Sequence, residues 1–393
     1  MNGAKNSPME FREVDFNKKK LKLGTMEYKS GKSAESSEKI NLCFAFDDNY
    51  IRHAAAALAS ILLNSAQGNE FNIYVLDGDI SGENKEKFKK LQNIRKFNLE
   101  YLKIDKEQFK GLPLNRPYIS IAAYYRLLLP EILPDSVEKI IYLDCDTITE
   151  RDIAQLWKED ISDKLAAVIE DEGSLCQINR LHLPVENSYF NSGILYFNIK
   201  KLREINFQSK WKHWYKDNEP VVTLQDQDIL NGTLNGNCKY VSLIWNTNSR
   251  LYTKYNEYKV LPHQYSDEEA DFAAHNPGII HYTNQSKPWQ VSCTHPLRNE
   301  YFKYLKYTPW KYYSFKYLFD KYIYLMQIFL KNIFSINNEG SGRKVYKVIT
   351  ICGLKLKFRN KKKESELMTA EKKYNDSKKM KIINEKDAIT CRK

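Results

Sequence analysis

The residues of this 393-residue chain best suited to chemistry stand in a few short segments. The most informative is Asp144-Cys145-Asp146, directly after the apolar run KIIYL (Lys139–Leu143). Two carboxylates two residues apart on extended backbone can both turn toward one hard divalent cation, and Mg²⁺ or Mn²⁺ prefers oxygen ligands that it can share with phosphate. The plain alternative is a solvated turn, since Asp is common in turns and a bare Asp-x-Asp is not specific. Context favours a metal: the apolar run predicts a buried strand, and a second acidic pair, Asp47-Asp48, ends the similar run INLCFAF (Ile40–Phe46). His281 in GIIHY (Gly278–Tyr282) offers a neutral imidazole nitrogen as a third ligand, or is a half-buried ring bonded to backbone. Lys287, six residues on, offers an ammonium to a diphosphate, or is a surface lysine. Arg126 is a lone charge in IAAYYRLLL (Ile121–Leu129), so it must reach a buried partner or an anion; a structural salt bridge and a functional contact both meet that demand.

Several chemistries are absent. Gly31-Lys32-Ser33 resembles the end of a phosphate loop, but the glycine that motif requires five residues earlier is Met26. No GxGxxG, GxSxG or HExxH occurs, which disfavours dinucleotide oxidoreductases, α/β-hydrolases and zincin proteases.

The elements around these residues predict an α/β fold. Strand-like runs begin at Ile40, Phe71 (FNIYVL) and Leu99, separated by helix-like stretches at Ile51–Asn64 and Ser81–Ile94, with Ser81 as an N-cap. This alternation implies parallel βαβ units. A helix over Ile119–Leu129, ended by Pro130, leads to the strand Lys139–Leu143. In open parallel sheets ligands sit beyond the carboxyl ends of strands, where both acidic pairs fall. Gly193–Asn198 and Gly278–Tyr282 read as further strands, and Gln225–Leu230 as a helix or turn carrying Asp226-Gln227-Asp228.

Composition sets the limits. With 42% hydrophobic and 28% charged residues and a mean hydropathy of −0.60, the chain is not a polytopic membrane protein. Seven cysteines without a CxxC pair fit a reducing compartment, so a cytoplasmic location is expected. Residues 301–393 hold 23 Lys and Arg against 8 Asp and Glu, so the net charge of +12 belongs to the C-terminal quarter and residues 1–300 are slightly acidic. No nucleic-acid-reading motif accompanies that charge, and no nucleic acid is expected as partner. Four segments are expected: a polar, disordered arm (1–38), a catalytic domain (39–304), an aromatic amphipathic helical segment (305–340) and a basic tail (341–393), with Gly340-Ser341-Gly342 as a hinge. The last two could lie on an anionic leaflet, placing the protein peripherally on the inner face of the cell membrane; the alternative is ordinary helix packing and solvated lysines.

Taken in order, FAFDDNY (Phe44–Tyr50), YVLDGDIS (Tyr74–Ser81), PLNRPYISIAAYYRLLLPEILP, KIIYLDCDTI, YFNSGILYFN, LQDQDILNG and HYTNQSKPW resemble glycosyltransferase family 8 across about Ile40 to Tyr304. That family comprises retaining sugar-nucleotide transferases, glycogenin and bacterial lipopolysaccharide and lipooligosaccharide glucosyl- and galactosyltransferases among them. The resemblance implies a GT-A type fold, a Rossmann-like nucleotide-binding half fused to a mixed-sheet acceptor half, here with a C-terminal helical and basic extension. It implies a UDP-sugar donor and Mn²⁺ or Mg²⁺ held by Asp144, Asp146 and His281. Asp47 and Asn49 would contact uracil, Cys145 would lie in the nucleotide-sugar site with its flanking aspartates, and Lys287 would hold diphosphate oxygens. Arg126, Asn191, Asp226 and Gln227 would grip the donor sugar, joined by either Glu170 or Asp171. Asn284 departs from the family, which usually carries Gly there; Asn tolerates the left-handed backbone better than most residues.

Charge dictates the chemistry. Loss of UDP leaves negative charge on the β-phosphate oxygen, where a metal and Lys287 would stabilise the transition state. Retention requires a nucleophile on the far face of the sugar, with Gln227 and Asp228 as catalytic candidates, or same-face attack guided by the departing phosphate, which is favoured because Gln is a poor nucleophile. The expected activity moves glucose or galactose from a UDP-sugar to a glycan or lipid-linked glycan of lipopolysaccharide type at the cytosolic membrane face. The rivals are glycogenin-like protein glucosylation and a non-catalytic protein that binds sugar nucleotides or anionic lipid.

Overall fold

A computed structural model of the chain describes residues 38–114, 120–171, 174–184, 188–234, 236–252, 265–283, 285–341, 344–351, 354–370 and 372. Residues 1–37 of the expected arm, Asn284 and residues 373–393 of the basic tail lie outside that set. The chain divides into two compact units, one up to Tyr317 and one from Leu318 onward.

The first unit opens with the alternation that the sequence predicts: β1 (Lys39–Phe46), α1 (Ile51–Asn64), β2 (Glu70–Asp77), α2 (Gly82–Lys89) and β3 (Asn98–Lys103). The Ser81 side chain accepts from Asn84 N–H and caps α2. Side chains alternate across β1. Leu42, Phe44 and Phe46 join the core on the side of the alanine-rich α1, while Cys43 faces the opposite core with Tyr124 and Tyr125.

A 3-10 segment, Ile121–Leu128, then runs into the short α3 (Leu129–Ile132). Pro130 therefore does not end a helix as expected. It occupies the first turn of α3, where its missing N–H would have had no partner anyway.

The remainder of the unit is β4 (Lys139–Leu143), β5 (Thr147–Thr149), α4 (Ala154–Trp157), β6 (Ala166–Val168), α5 (Ser174–Arg180), β7 (Ile194–Asn198), α6 (Ile199–Glu204), α7 (Phe207–Asn218), α8 (Asp226–Leu234), β8 (Cys238–Tyr240), β9 (Thr247–Asn248), α9 (Asp267–His275), β10 (Ile279–His281) and α10 (Arg298–Leu305). The main sheet has the order β3-β2-β1-β4-β7-β6-β8. Strands β3, β2, β1 and β4 are parallel, and β7 runs antiparallel to both β4 and β6. This is the Rossmann-like half joined to a mixed half that the sequence implies. A small second sheet, β5-β10-β9, pairs His281 with Thr147 and so carries the end of β10 to the Asp144–Asp146 turn.

In the second unit, α11 (Tyr313–Ile333), which begins in the first, is followed by an antiparallel meander of β11 (Phe334–Ser341), β12 (Lys344–Ile351) and β13 (Leu354–Arg359). The helical segment expected to reach residue 340 thus ends at Ile333. Gly340 and Ser341 pair with Val345 and Lys344 at the end of β11, while Gly342 of the expected hinge lies outside the described residues. Among the described residues no helix is long and apolar enough to cross a membrane.

Candidate active site

Strand β4 is buried along IIYL and releases the chain at Asp144, whose N–H donates to Gly193 O at 2.8 Å. From there Asp144 and Asp146 turn toward His281 at the end of β10. One ligand atom from each of the three lies within 4.8 Å of the others, a possible metal site.

The clasping of the two carboxylates decides which oxygens are available. Asp144 Oδ1 accepts from Arg126 Nη2 at 2.8 Å and from the Tyr142 hydroxyl at 3.1 Å, while its Oδ2 lies 3.8 Å from His281 Nε2. Asp146 Oδ2 accepts from Lys287 Nζ at 2.6 Å, while its Oδ1 lies 3.4 Å from His281 Nε2. Each carboxylate therefore gives one oxygen to a fixed cation and presents the other to a shared point. Burial would raise the pKa of Asp146, yet Lys287 and His281 together hold its carboxyl well below the usual range. Two carboxylate oxygens and one imidazole nitrogen form a donor set suited to Mn²⁺ or Mg²⁺, so the residues present fit the ion.

Gly193 was not among the residues expected from sequence, although a glycine opening a strand signals close backbone approach. A Cβ there would collide with His281 Cε1 and lie 2.8 Å from Nε2 and 2.9 Å from Asp144 Oδ2. Tyr142 and Asn246 are likewise new; Asn246 Oδ1 lies 3.0 Å from His281 Nδ1.

The chain belongs to glycosyl transferase family 8. The family model, described as Glycosyl transferase family 8, matches residues 41–293. General stress protein A of Bacillus subtilis is 31% identical over 280 residues, covering 70% of this chain and 95% of that protein. A lipopolysaccharide 1,2-glucosyltransferase of Escherichia coli K12 is 27% identical over 279 residues, covering 70% and 80%. Among solved structures, galactosyltransferase LgtC in complex with donor and acceptor sugar analogs superposes with a TM-score of 0.61 at 26% identity, covering 69% of this chain and 96% of that one. The fold is accordingly GT-A type, and the protein is a glycosyltransferase.

The other expected residues divide sharply. Arg126 is almost fully buried: Nε donates to Ala123 O at 2.9 Å, Nη1 to Ser192 O, and Nη2 to Asp144, with the guanidinium 4.2 Å from the Tyr142 ring centre. It clasps Asp144 before it can grip anything else. Asp47 accepts from the N–H groups of Asn49 and Tyr50 and from Asn49 Nδ2, so Asp47 and Asn49 engage each other at the start of α1, beyond the end of β1. Cys145 points its thiol toward Ala45 O at 3.4 Å.

Asn191 is buried and bonded at both polar atoms, and Gln227 Oε1 accepts from Ser192 N–H at 3.0 Å. Asp171, not Glu170, is the carboxylate beside them, taking Asn191 Nδ2 at 3.0 Å and Gln227 Nε2 at 3.3 Å; Glu170 is buried in a bridge to Phe190. Burial pushes Asp226 up to about 6 against the pull of Arg126, and its Oδ2, 3.4 Å from Arg126 Nε, has no hydrogen-bond partner among the described residues.

Asp228, a catalytic candidate from the sequence, lies in the interior. It is fully buried and accepts from Arg180 Nη1 and Nη2, the Tyr189 hydroxyl, and the N–H groups of Thr223 and Leu224. A carboxylate saturated by five donors has no open face for a sugar. The spacing of DQD could not reveal this, because its main partner, Arg180, lies 48 residues away.

Two outcomes follow. Gly193→Ala should weaken Mn²⁺ binding by at least about tenfold with little loss of helix content, since it displaces two ligands at once; calorimetric titration against circular dichroism reads this out. Asp228→Ala should behave as a folding lesion, lowering stability in urea by about 3–5 kcal/mol, because it leaves buried donors and Arg180 uncompensated.

Proposed function

We propose that the protein transfers a glucose or galactose from a UDP-sugar, with retention of configuration and with Mn²⁺ or Mg²⁺, to a surface glycan or lipid-linked glycan of lipopolysaccharide type. The observation that carries this reading is the convergence of Asp144 Oδ2, Asp146 Oδ1 and His281 Nε2 beside Lys287, in a chain of this family. Relatives named as lipopolysaccharide 1,2-glucosyltransferase and 1,3-galactosyltransferase support the hexose and acceptor class.

Asp144, Asp146 and His281 hold the ion, which supplies Lewis-acid stabilisation of diphosphate charge when bound. Lys287 offers its ammonium to the departing β-phosphate oxygen, where negative charge grows as the bond to the sugar breaks. Asp226 Oδ2, a buried acceptor still lacking a donor, suits a sugar hydroxyl, and Arg126 holds Asp226 and Asp144 in one frame. Asp47 and Asn49 meet the uracil, Cys145 contributes backbone to the nucleotide, and Asn191 and Gln227 shape the sugar pocket. With Asp228 sealed and the Gln227 oxygen occupied, same-face substitution fits best: the C1–phosphate bond breaks, the acceptor oxygen bonds to C1 on that face, and its proton passes to the phosphate.

The tail reading rests on α11 and β13. Leu318, Tyr322, Leu325 and Phe329 form one exposed row along α11 at i, i+4, i+7 and i+11, with Phe319, Ile323, Met326 and Leu330 beside it. In β13, exposed Leu354, Leu356 and Phe358 alternate with Lys355, Lys357 and Arg359. Exposed apolar rows interleaved with basic residues suit an anionic lipid surface on the cytosolic side, where a lipid-linked acceptor would be met.

Incubation with UDP-glucose or UDP-galactose and Mn²⁺ should release UDP, slowly by hydrolysis without acceptor, and EDTA should stop it; transfer products should keep the donor's anomeric configuration by NMR. Binding of UDP with no turnover of any donor would favour a non-catalytic protein. Vesicles containing anionic phosphatidylglycerol should co-sediment with the full chain. The pair Lys355→Ala with Lys357→Ala should reduce that partitioning on the order of 30-fold, at about 1 kcal/mol per basic residue. Unchanged partitioning would remove the membrane role.

A further inference from the structure

We propose that Asn246 is a positioning residue that fixes His281 as the tautomer protonated on Nδ1, so that the lone pair of Nε2 faces the two aspartates before any metal arrives. The inference rests on the metal site proposed above and deepens it. Asn246 is fully buried in the turn before β9, far in sequence from every ligand.

Hydrogen-bond direction along a chain of side chains carries the assignment. Gly193 N–H can only donate, and it points at Asn191 from 2.9 Å, so that Asn191 atom is the amide oxygen. At the other end the Asp171 carboxylate can only accept while ionised, and it lies 3.0 Å from the remaining Asn191 atom, which is therefore the nitrogen. Both ends agree. The Asn191 oxygen also receives Asn246 from 3.0 Å, so Asn246 presents its own nitrogen there. Its oxygen is thereby turned to His281 Nδ1 at 3.0 Å, and that nitrogen must carry the proton. An amide orientation is ordinarily a matter of choice; here a backbone donor and a carboxylate settle it.

The consequence lies at Nε2, 3.4 Å from Asp146 Oδ1 and 3.8 Å from Asp144 Oδ2. With the proton on Nδ1, three lone-pair donors converge on one point. In the other tautomer Nε2–H would bond to a carboxylate, and a metal would first have to break that bond. Metal-ligating imidazoles are commonly held this way by an oxygen on the far nitrogen. Here the holding group belongs to a relay, Asp171–Asn191–Asn246–His281, that also touches Gln227 through Asn191.

The test uses the full-length protein with ¹⁵N-labelled histidine, free of metal, at a pH where the ring is neutral. The His281→Gln spectrum identifies the His281 signals. Long-range proton–nitrogen spectra should show Nδ1 protonated and Nε2 bare, and a wild-type ring protonated on Nε2 would overturn the proposal without reference to any variant. Asn246→Leu, similar in shape but without polar atoms, should yield mixed tautomers and a Kd for Mn²⁺ about 10–100-fold higher, read by electron paramagnetic resonance of free Mn²⁺. A folded Asn246→Leu protein with unchanged tautomer and Mn²⁺ affinity would also overturn it. Wild-type protein that binds no Mn²⁺ would instead overturn the metal reading beneath it, an outcome that the tautomer spectrum keeps distinct.

Discussion

Everything at this site depends on holding two carboxylates and an imidazole lone pair toward a single point. Two unit charges at such separations repel by roughly 3–4 kcal/mol at an effective dielectric near 20, and burial adds to that cost. The protein meets it from outside the cluster. Arg126 takes the outer oxygen of Asp144, and Lys287 takes the outer oxygen of Asp146. Both cations sit behind the carboxylates, so neutralisation leaves the inner oxygens open. Arg126 is itself fixed by Ala123 O and Ser192 O and lies over the Tyr142 ring, which keeps its charge from following an incoming ligand. Lys287 also donates to Tyr282 O at 2.6 Å, and the lysine chain is the more adaptable of the two. This asymmetry matches their proposed work, a permanent clasp on one side and an ammonium able to answer a diphosphate on the other.

The loop that carries Lys287 is anchored through its apolar neighbour. Trp289 stacks on His53 with ring centres 3.4 Å apart and meets Tyr301 and Tyr50, so the loop is held against α1 and α10. His53 is buried, with Nδ1 at 2.7 Å from the Tyr301 hydroxyl, and burial keeps its pKa far below the usual value, so it serves there as a neutral stacking ring. The same alanine-rich helix that packs under β1 thereby also places the cation facing Asp146. Core packing and site electrostatics are a single construction at this point.

How much of this was legible in the sequence varies with the range of the cause. The strands and helices from Ile40 to Lys103 followed from local apolar periodicity and capping, and the residues that meet at the candidate metal site followed from motif order. The reversal of β7 did not, because IIYL and ILYFN have the same buried pattern whether they pair parallel or antiparallel. Pro130 was misread because a proline near a helix end and one in its first turn look alike without the cap. The expected helical segment runs past the end of α11 because Phe334 and Ile336 continue its apolar run just beyond Ile333, and no proline or glycine marks the change to strand there. Asn246 was invisible, since a buried asparagine declares itself only through partners 35 and 55 residues away.

The triplet Asp226-Gln227-Asp228 shows why motif chemistry must be resolved atom by atom. It opens α8 just after Gln225, whose φ of 55° lies in the left-handed region at a cost of order 1 kcal/mol or more, and that turn aims three consecutive side chains in three directions. Asp226 points to Arg126, Gln227 to Ser192 and Asp171, and Asp228 back into Arg180 and Tyr189. The last of these is the anchor: with two backbone N–H groups of the preceding loop bound to Asp228, the strained turn cannot relax without breaking a buried ion pair. Two chemically identical aspartates therefore differ wholly in availability. One has an oxygen without a hydrogen-bond partner among the described residues and a raised pKa, while the other is consumed in holding the first where it is.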